Sequence, residues 1–192
     1  MATYAWSRSD LDAGLGLIRV ETGDLIRVEG YEVAVADARS WVVTFEVRLD
    51  DRWRTRQAEI VVVEDGQSRQ VLLEGDGEGQ WYLNGVPAPE LDGCLDVDIA
   101  ATPFTNTFVI RRLAIPVGGV RTVRAAWVGI PDLEVAAVEQ TYRHLEPLDG
   151  TDRYEYRSET ADEGRVIEVD EDGVALTYEG LARRVHPEPA ID

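Results

Sequence analysis

The length, composition and charge of the chain already exclude several classes of function. Its 192 residues, of which 44% are hydrophobic, are enough to bury one core, so we expect a single domain over residues 1–186 and a flexible tail over 187–192. A formal net charge of −18 argues against a nucleic-acid partner and against docking on anionic lipid head groups, because both need a positive surface. All 19 basic residues are arginine, and the absence of lysine excludes Schiff-base chemistry.

Cysteine and histidine are too few and too scattered to predict a disulfide or a metal centre. Cys94 is the one cysteine, and neither His144 nor His186 stands at metal-ligand spacing from it. We therefore expect no metal and no cofactor. Residues 1–10 lack the basic and apolar segments of a signal peptide, and no apolar run approaches about 20 residues. These features predict a cytoplasmic protein without membrane insertion.

The first half of the chain has the pattern of successive β-strands separated by turns. Alternating apolar residues predict strands at 15–20, 25–35, 41–49, 54–63, 70–73 and 80–83. Asp65-Gly66 and Asn84-Gly85 predict tight turns. Gly30, inside the second of these strands, predicts a bulge or bend.

A single buried helix is predicted near the middle of the chain. Thr102 is a favourable N-cap, and Pro103 suits the first helical position. Phe104 and Phe108 share one face, and apolar residues cover most of the remaining surface. The pattern predicts a helix over about 103–112, enclosed by a curved sheet.

The second half of the chain returns to the β pattern. Strands are predicted at 113–117, 120–128, 133–145, 153–158, 165–169 and 175–178. Gly118-Gly119 separates the first two of them, and Asp172-Gly173 turns between the last two. Short strands with glycine and aspartate turns predict a mainly β protein built as a large antiparallel sheet, sandwich or barrel.

The acidic pair Asp96 and Asp98 is open to two interpretations. Two residues apart on a strand, the carboxylates face the same side, where they could hold a metal or act as acid and base. The structural alternative, which we favour, makes them helix caps and partners of Arg111 or Arg112.

Further polar and aromatic residues also allow two interpretations each. Cys94 has no base placed near it by the sequence, so we expect an inert, buried thiol. Asn106 is polar within an apolar helix, so it either bonds neighbouring backbone or points into a cavity and meets a ligand hydroxyl. Four tryptophans either belong to the core or stack on sugar rings: Trp41, Trp53, Trp81 and Trp127.

A long motif lies at the centre of the chain. It consists of Leu-Asp-Gly-Cys-Leu-Asp-Val-Asp at 91–98, Thr-Pro-Phe-Thr-Asn-Thr at 102–107 and Ile-Arg-Arg-Leu at 110–113. Supporting matches are Trp6, Leu49-Asp50 with Trp53, Gly79-Gln80-Trp81, Gln140-Thr141-Tyr142, Val169-Asp170 and Tyr178-Glu179-Gly180-Leu181. Together these matches resemble, over nearly the whole chain, the signature of a bacterial family described as glycolipid-binding.

The resemblance carries expectations about fold and function. It implies a spiral β-roll, in which a large curved antiparallel sheet wraps around one central α-helix, and it implies a homodimer. This fold is likened to bacterial lipoprotein carriers and to mycobacterial glycolipid-binding lipoproteins, so a lipid- or glycolipid-binding protein with an interior cavity is expected. We expect no catalytic residues. The candidate ligand-binding residues are Asp98, Asn106, Arg111, Arg112 and Trp81.

Two alternatives stand beside this expectation. One is a structural or regulatory homodimer without a small ligand, and the other is an enzyme that uses Asp96 and Asp98. An enclosed apolar cavity would favour the binding protein, whereas a polar cleft holding both aspartates would favour the enzyme. A filled interior with a large apolar outer face would favour the homodimer.

Overall fold

Fifteen β-strands and one α-helix account for most of residues 1–159 and 163–187, which are the residues that this computed structural model describes. The strands are β1 (Ala2–Arg8), β2 (Ala13–Thr22), β3 (Ile26–Ala36), β4 (Arg39–Leu49), β5 (Thr55–Glu64), β6 (Gln67–Gly75), β7 (Trp81–Leu83), β8 (Val86–Pro87), β9 (Asp96–Ile99), β10 (Val120–Val128), β11 (Val135–Leu148), β12 (Thr151–Ser158), β13 (Arg165–Val169), β14 (Ala175–Tyr178) and β15 (Ala182–His186). The helix, α1, is Asn106–Leu113.

All the strands belong to one sheet. Within it, β1 to β8 are neighbours in chain order, β9 to β15 are likewise, and the first and last strands of the chain join the two groups. The order is β8-β7-β6-β5-β4-β3-β2-β1-β15-β14-β13-β12-β11-β10-β9, so β1 pairs with β15 in the middle of the sheet. The antiparallel pattern holds along the sheet except at its edge, where β9 and β10 are parallel. Parallel pairing requires a crossover connection, and the segment that contains α1 provides it. This segment follows β9 in the chain and returns to the end of the sheet where β9 starts, so β10 runs in the same direction as β9.

The edge strand β9 closes the sheet into a roll by contacting β5. The backbone N–H of Thr55 donates to the Leu95 carbonyl at 2.9 Å, and the Val97 N–H donates to Thr55 Oγ1 at 3.0 Å. Strands β6, β7 and β8 continue beyond this contact, so the sheet overlaps itself as a spiral. The predicted mainly β fold, a curved sheet around one helix, is confirmed.

The helix lies inside the roll and divides the core. A 3₁₀ turn over Pro103–Thr105 precedes α1, and Thr102 Oγ1 accepts a hydrogen bond from the Phe104 N–H at 3.1 Å. Phe104 and Phe108 pack in the larger part of the core, and Val109 belongs to a second cluster with tyrosines of β11 and β12. The predicted helix is therefore confirmed, with a tighter first turn.

Two local predictions are wrong for physical reasons. The predicted strand at 113–117 is absent, because Leu113 ends α1 and Ala114 takes a left-handed φ of 41°. Of the bulge or bend predicted at Gly30, the bulge is absent, since its pairing with both neighbouring strands is regular. A side chain there would meet the Phe45 ring, whose carbons lie 1.9–2.3 Å from the position of a Cβ. The glycine thus accommodates a close approach and leaves the register unchanged.

The expected tail falls mostly outside the described residues. Residues 188–192 are not among them, and Pro187 lies in a bend after β15.

Candidate functional site

A cavity of about 410 Å³ opens among the strand ends at one end of the roll. Its walls come from the end of β1, the segment that follows β9, parts of β3 and β4, and the neighbouring ends of β10, β12 and β13. The lining combines charged, hydroxyl and aromatic side chains: Arg8, Asp10, Leu11, Glu32, Trp41, Asp98, Ile99, Ala100, Ala101, Thr102, Asn106, Trp127, Ile130, Tyr156, Ser158, Arg165, Tyr178 and Leu181. The cavity is thus more polar than the apolar one expected from the sequence.

Arg8 organises one wall of this cavity. Its Nη1 donates to Glu32 Oε2 at 2.9 Å and to the Ala101 carbonyl at 2.8 Å. Its Nε and Nη2 donate to the two oxygens of Asp10 at 2.9 and 2.7 Å. Because two carboxylates and a carbonyl already engage the guanidinium, Arg8 orients Glu32 and joins β1 to the segment after β9.

Glu32 is a buried carboxylate with a free oxygen. Its side chain faces the interior from β3, it is 3% exposed, and Oε1 has no hydrogen-bond partner within the described part of the chain. Gly16 lies opposite on β2, where a Cβ would be 3.8 Å from Glu32 Oε2. Burial raises the pKa of Glu32 to about 7, against the opposing effect of Arg8.

Trp41 presents a buried donor on the same wall. The indole is 7% exposed, and its Nε1 finds no acceptor in the ranges 1–159 and 163–187. Trp41 pairs with Ala34 and Glu32 with Val43, so the two side chains are diagonal neighbours on the inner face of β3 and β4. The wall therefore carries one unused acceptor and one unused donor.

Asp98 and Asn106, both expected as ligand-binding residues, line this cavity. Asp98 accepts hydrogen bonds from Thr105 Oγ1 at 2.7 Å and from Gln140 Nε2 at 2.6 Å, and burial raises its pKa. Asn106 Oδ1 accepts from the Tyr142 hydroxyl at 2.8 Å, and its Nδ2 donates to the Pro103 carbonyl at 3.1 Å. Both side chains thus hold α1 to the sheet while they face the cavity.

The other three expected residues lie elsewhere. Arg112 donates to both oxygens of Asp96, at 3.0 and 2.5 Å, in a buried ion pair. Arg111 lies 4.7 Å from the centre of the Trp53 ring, near the opposite end of β1. Trp81 is buried, and its Nε1 donates to the Cys94 carbonyl at 2.8 Å.

The geometry separates the two aspartates of the central motif. Asp96 forms an ion pair with Arg112, and the favoured interpretation had expected such an arginine partner. Asp98 faces the cavity instead and accepts hydrogen bonds from neutral donors. Cys94 is buried, and burial raises the pKa of its thiol to about 11, so the thiol stays protonated near neutral pH.

Glu32 was missed by the sequence reasoning, although a signal for it existed, and Trp41 was considered as a core residue or a sugar-stacking ring but not as a hydrogen-bond donor. The interior positions of β3 alternate from Ile26 through Val28, Gly30 and Ala34, and Glu32 falls in the same phase. A charged residue at a core-facing position of an alternating strand is rarely free of function or of a partner.

An apolar groove of about 760 Å³ adjoins the cavity on the outside of β2 to β5. Its lining includes side chains that are unusually exposed for their type, among them Leu15 at 50% and Val33 at 54%. Trp41 lines both the groove and the cavity, and Gly14 of the groove lies against Arg8 and Leu11 of the cavity. The two concavities therefore share Trp41 and lie next to each other at the rim of the roll.

Two kinds of feature were not found. Within residues 1–159 and 163–187, no cluster of three or more histidine, cysteine, aspartate or glutamate side chains is arranged to hold a metal ion. No helix in the described ranges has the length and apolar character needed to span a membrane.

The model of a family described as "Putative glycolipid-binding" matches residues 3–184. The chain belongs to this family. A crystal structure of a DUF1089 family protein from Pseudomonas aeruginosa is similar, with 32% identity, a TM-score of 0.77 and coverage of 88% of this chain and 92% of that one. A comparison with curated proteins found no match to this chain.

A more distant structure is similar in fold alone. It is a β-barrel-like protein of the domain of unknown function DUF1849 from Brucella abortus, with 8% identity and a TM-score of 0.51 over 95% of this chain and 92% of that one.

Proposed function

We propose that this protein binds a glycolipid or a similar amphiphile, with the polar head group in the end cavity and the hydrocarbon chain in the outer groove. The observation that carries the proposal is that a polar cavity and an apolar groove share Trp41 and lie side by side at the rim of the roll. A volume of about 410 Å³ lies within the usual range of small-molecule sites. The family description supports the same class of ligand.

The groove supports the placement of the chain. Contiguous exposed apolar side chains on a soluble protein mark an interaction site, and each buried methylene of a ligand chain contributes about 0.8 kcal/mol. An alkyl chain in the groove would therefore supply much of the binding free energy, while the cavity would supply specificity.

Binding is favoured over catalysis by the state of the carboxylates. Asp96 is bound by Arg112, and both oxygens of Asp98 accept hydrogen bonds from Thr105 and Gln140. An enzyme that uses both aspartates would need them in one cleft, and Asp96 does not line the cavity.

A binding experiment with a groove variant tests the proposal. Val33→Glu places a charge in the groove and should weaken binding of n-octyl β-D-glucoside at least tenfold in isothermal titration calorimetry, because the chain would desolvate a carboxylate. Val86→Glu, on β8 and outside the groove, should bind like wild type. Native mass spectrometry should detect a lipid-mass adduct on the wild-type protein. No adduct and no octyl glucoside binding would refute the proposal.

The same groove supports a second candidate, a structural or regulatory homodimer without a small ligand. A second copy covering Leu15, Val33, Val42 and Val63 would bury side chains that are now exposed. Sedimentation velocity separates the candidates. A dimer that Val33→Glu dissociates, in a protein that binds no octyl glucoside, would favour the homodimer.

A further inference from the structure

The cavity wall formed by β3 and β4 carries two buried polar atoms that lack partners. Glu32 Oε1 is an acceptor and Trp41 Nε1 is a donor, and neither is bonded within the described part of the chain. A buried polar group without a partner costs about 1–3 kcal/mol, so such groups usually mark a place that a ligand or water fills. Here the two atoms are complementary and lie on diagonal neighbours.

One chemical group matches both atoms at once. A ligand hydroxyl donates one hydrogen bond and accepts others, so it can donate to Glu32 Oε1 and accept from Trp41 Nε1. At a pH where both groups are ionised, a phosphate oxygen would accept from Trp41 but would face the negative charge of Glu32 without a proton to share.

The charges around the cavity also disfavour an anionic head group. Its lining contains two arginines, Arg8 and Arg165, and three carboxylates, Asp10, Glu32 and Asp98. Arg8 is already engaged by Asp10 and Glu32, and Arg165 Nη1 donates to the Glu179 carbonyl at 3.0 Å. The site therefore lacks an excess of positive charge for an anionic head group.

We propose that Glu32 and Trp41 form a hydroxyl-binding subsite, so that the head group recognised is an uncharged polyol such as a sugar and not a phosphate. This inference rests on the proposed function and specifies its ligand. Two aromatic side chains that line the same cavity, Trp127 and Tyr156, offer apolar ring faces against which the carbon skeleton of a sugar can lie.

Three amphiphiles with the same octyl chain test the head-group class on the unaltered protein. n-Octyl β-D-glucoside, triethylene glycol methyl octyl ether and n-octyl phosphate are titrated by calorimetry at about pH 8, where the carboxyl of Glu32 is largely ionised, and below their micelle concentrations. The glucoside should bind about tenfold tighter than the ether, whose chain oxygens accept but do not donate, and about tenfold tighter than the phosphate. Equal affinity for all three, or tighter binding of the phosphate, would overturn the inference.

Two variants test the residues. Trp41→Phe keeps a ring but removes the donor. In Glu32→Gln, Arg8 can still donate to the amide oxygen in place of Glu32 Oε2. The amide NH₂, a donor, then stands where the acceptor Oε1 was. Each variant should bind octyl glucoside about five- to tenfold more weakly, the equivalent of one hydrogen bond. Trp53→Phe, near the opposite end of β1, and the exposed Glu74→Gln are the matched controls and should bind like wild type.

The outcomes separate this inference from the function on which it rests. If wild type binds octyl glucoside and both variants bind it equally well, the amphiphile function stands and the two orphan atoms serve water alone. If wild type binds none of the three amphiphiles, the proposed function fails. Circular dichroism melting of each variant shows that any loss of affinity occurs in a folded protein.

Discussion

Burial of Glu32 couples the stability of the folded protein to pH. The pKa of Glu32 is raised to about 7 by burial, whereas a glutamate in the unfolded chain titrates near about 4.3. Between these values the folded protein holds a proton that the unfolded chain has released. The free energy of unfolding contributed by this group therefore falls as pH rises through that window, and the loss is complete above the folded pKa.

The variant Glu32→Gln should reduce this pH dependence. Its free energy of unfolding should change by about 1–3 kcal/mol less than that of wild type between about pH 4.5 and about pH 8. Asp98, whose pKa is also raised by burial, keeps its own contribution in both proteins. Urea denaturation across this range measures the difference, and Glu74→Gln controls for the loss of one negative charge. A pH dependence unchanged from wild type in Glu32→Gln would contradict the assignment.

At the scale of single elements, α1 joins the two parts of the core. Phe108 is fully buried and contacts Phe104 and Trp53, with ring centres 5.8 and 6.4 Å away. Phe108→Ala should therefore lower the free energy of unfolding by about 3–5 kcal/mol. Val117→Ala, at an exposed position beyond the helix, should change it by less than about 0.5 kcal/mol. A loss below about 1 kcal/mol for Phe108→Ala would show that the helix is not central.

The elements differ in how far the sequence predicts them. Thr102 and Pro103 predict the helix start because capping depends on residues adjacent in the chain. The apolar run after Leu113 was mistaken for a strand because short apolar segments do not distinguish a strand from a buried connection. Strands β1 and β15 were not predicted, since neither has a clear alternation of apolar residues: β1 buries only Trp6, and β15 is mostly polar.

The residues of the site also differ in whether neighbours in the chain or distant strands bring them together. Asp98 and Asn106 lie in one motif, so their proximity is local and predictable. The association of Glu32 and Trp41 with them depends on how the sheet closes, which no local pattern encodes.

At the scale of the whole molecule, the contact between β5 and β9 closes the roll. Thr55→Val would leave the buried Val97 N–H without its acceptor and should cost about 1–3 kcal/mol. Thr55→Ser retains the hydroxyl and should cost clearly less. Equilibrium denaturation of both variants measures the difference, and equal losses would mean that the methyl group, not the hydrogen bond, stabilises the closure.

The pairing of β1 with β15 also constrains how the protein is made. Ala182–His186 is synthesised about 170 residues after Ala2–Arg8, yet the two strands are neighbours in the finished sheet. Until the ribosome has released the later segment, one edge of β1 has no partner, and open strand edges invite pairing with other chains. A half-formed sheet would therefore be open to association with other chains, and we expect the net charge of −18 to oppose it by repulsion between chains.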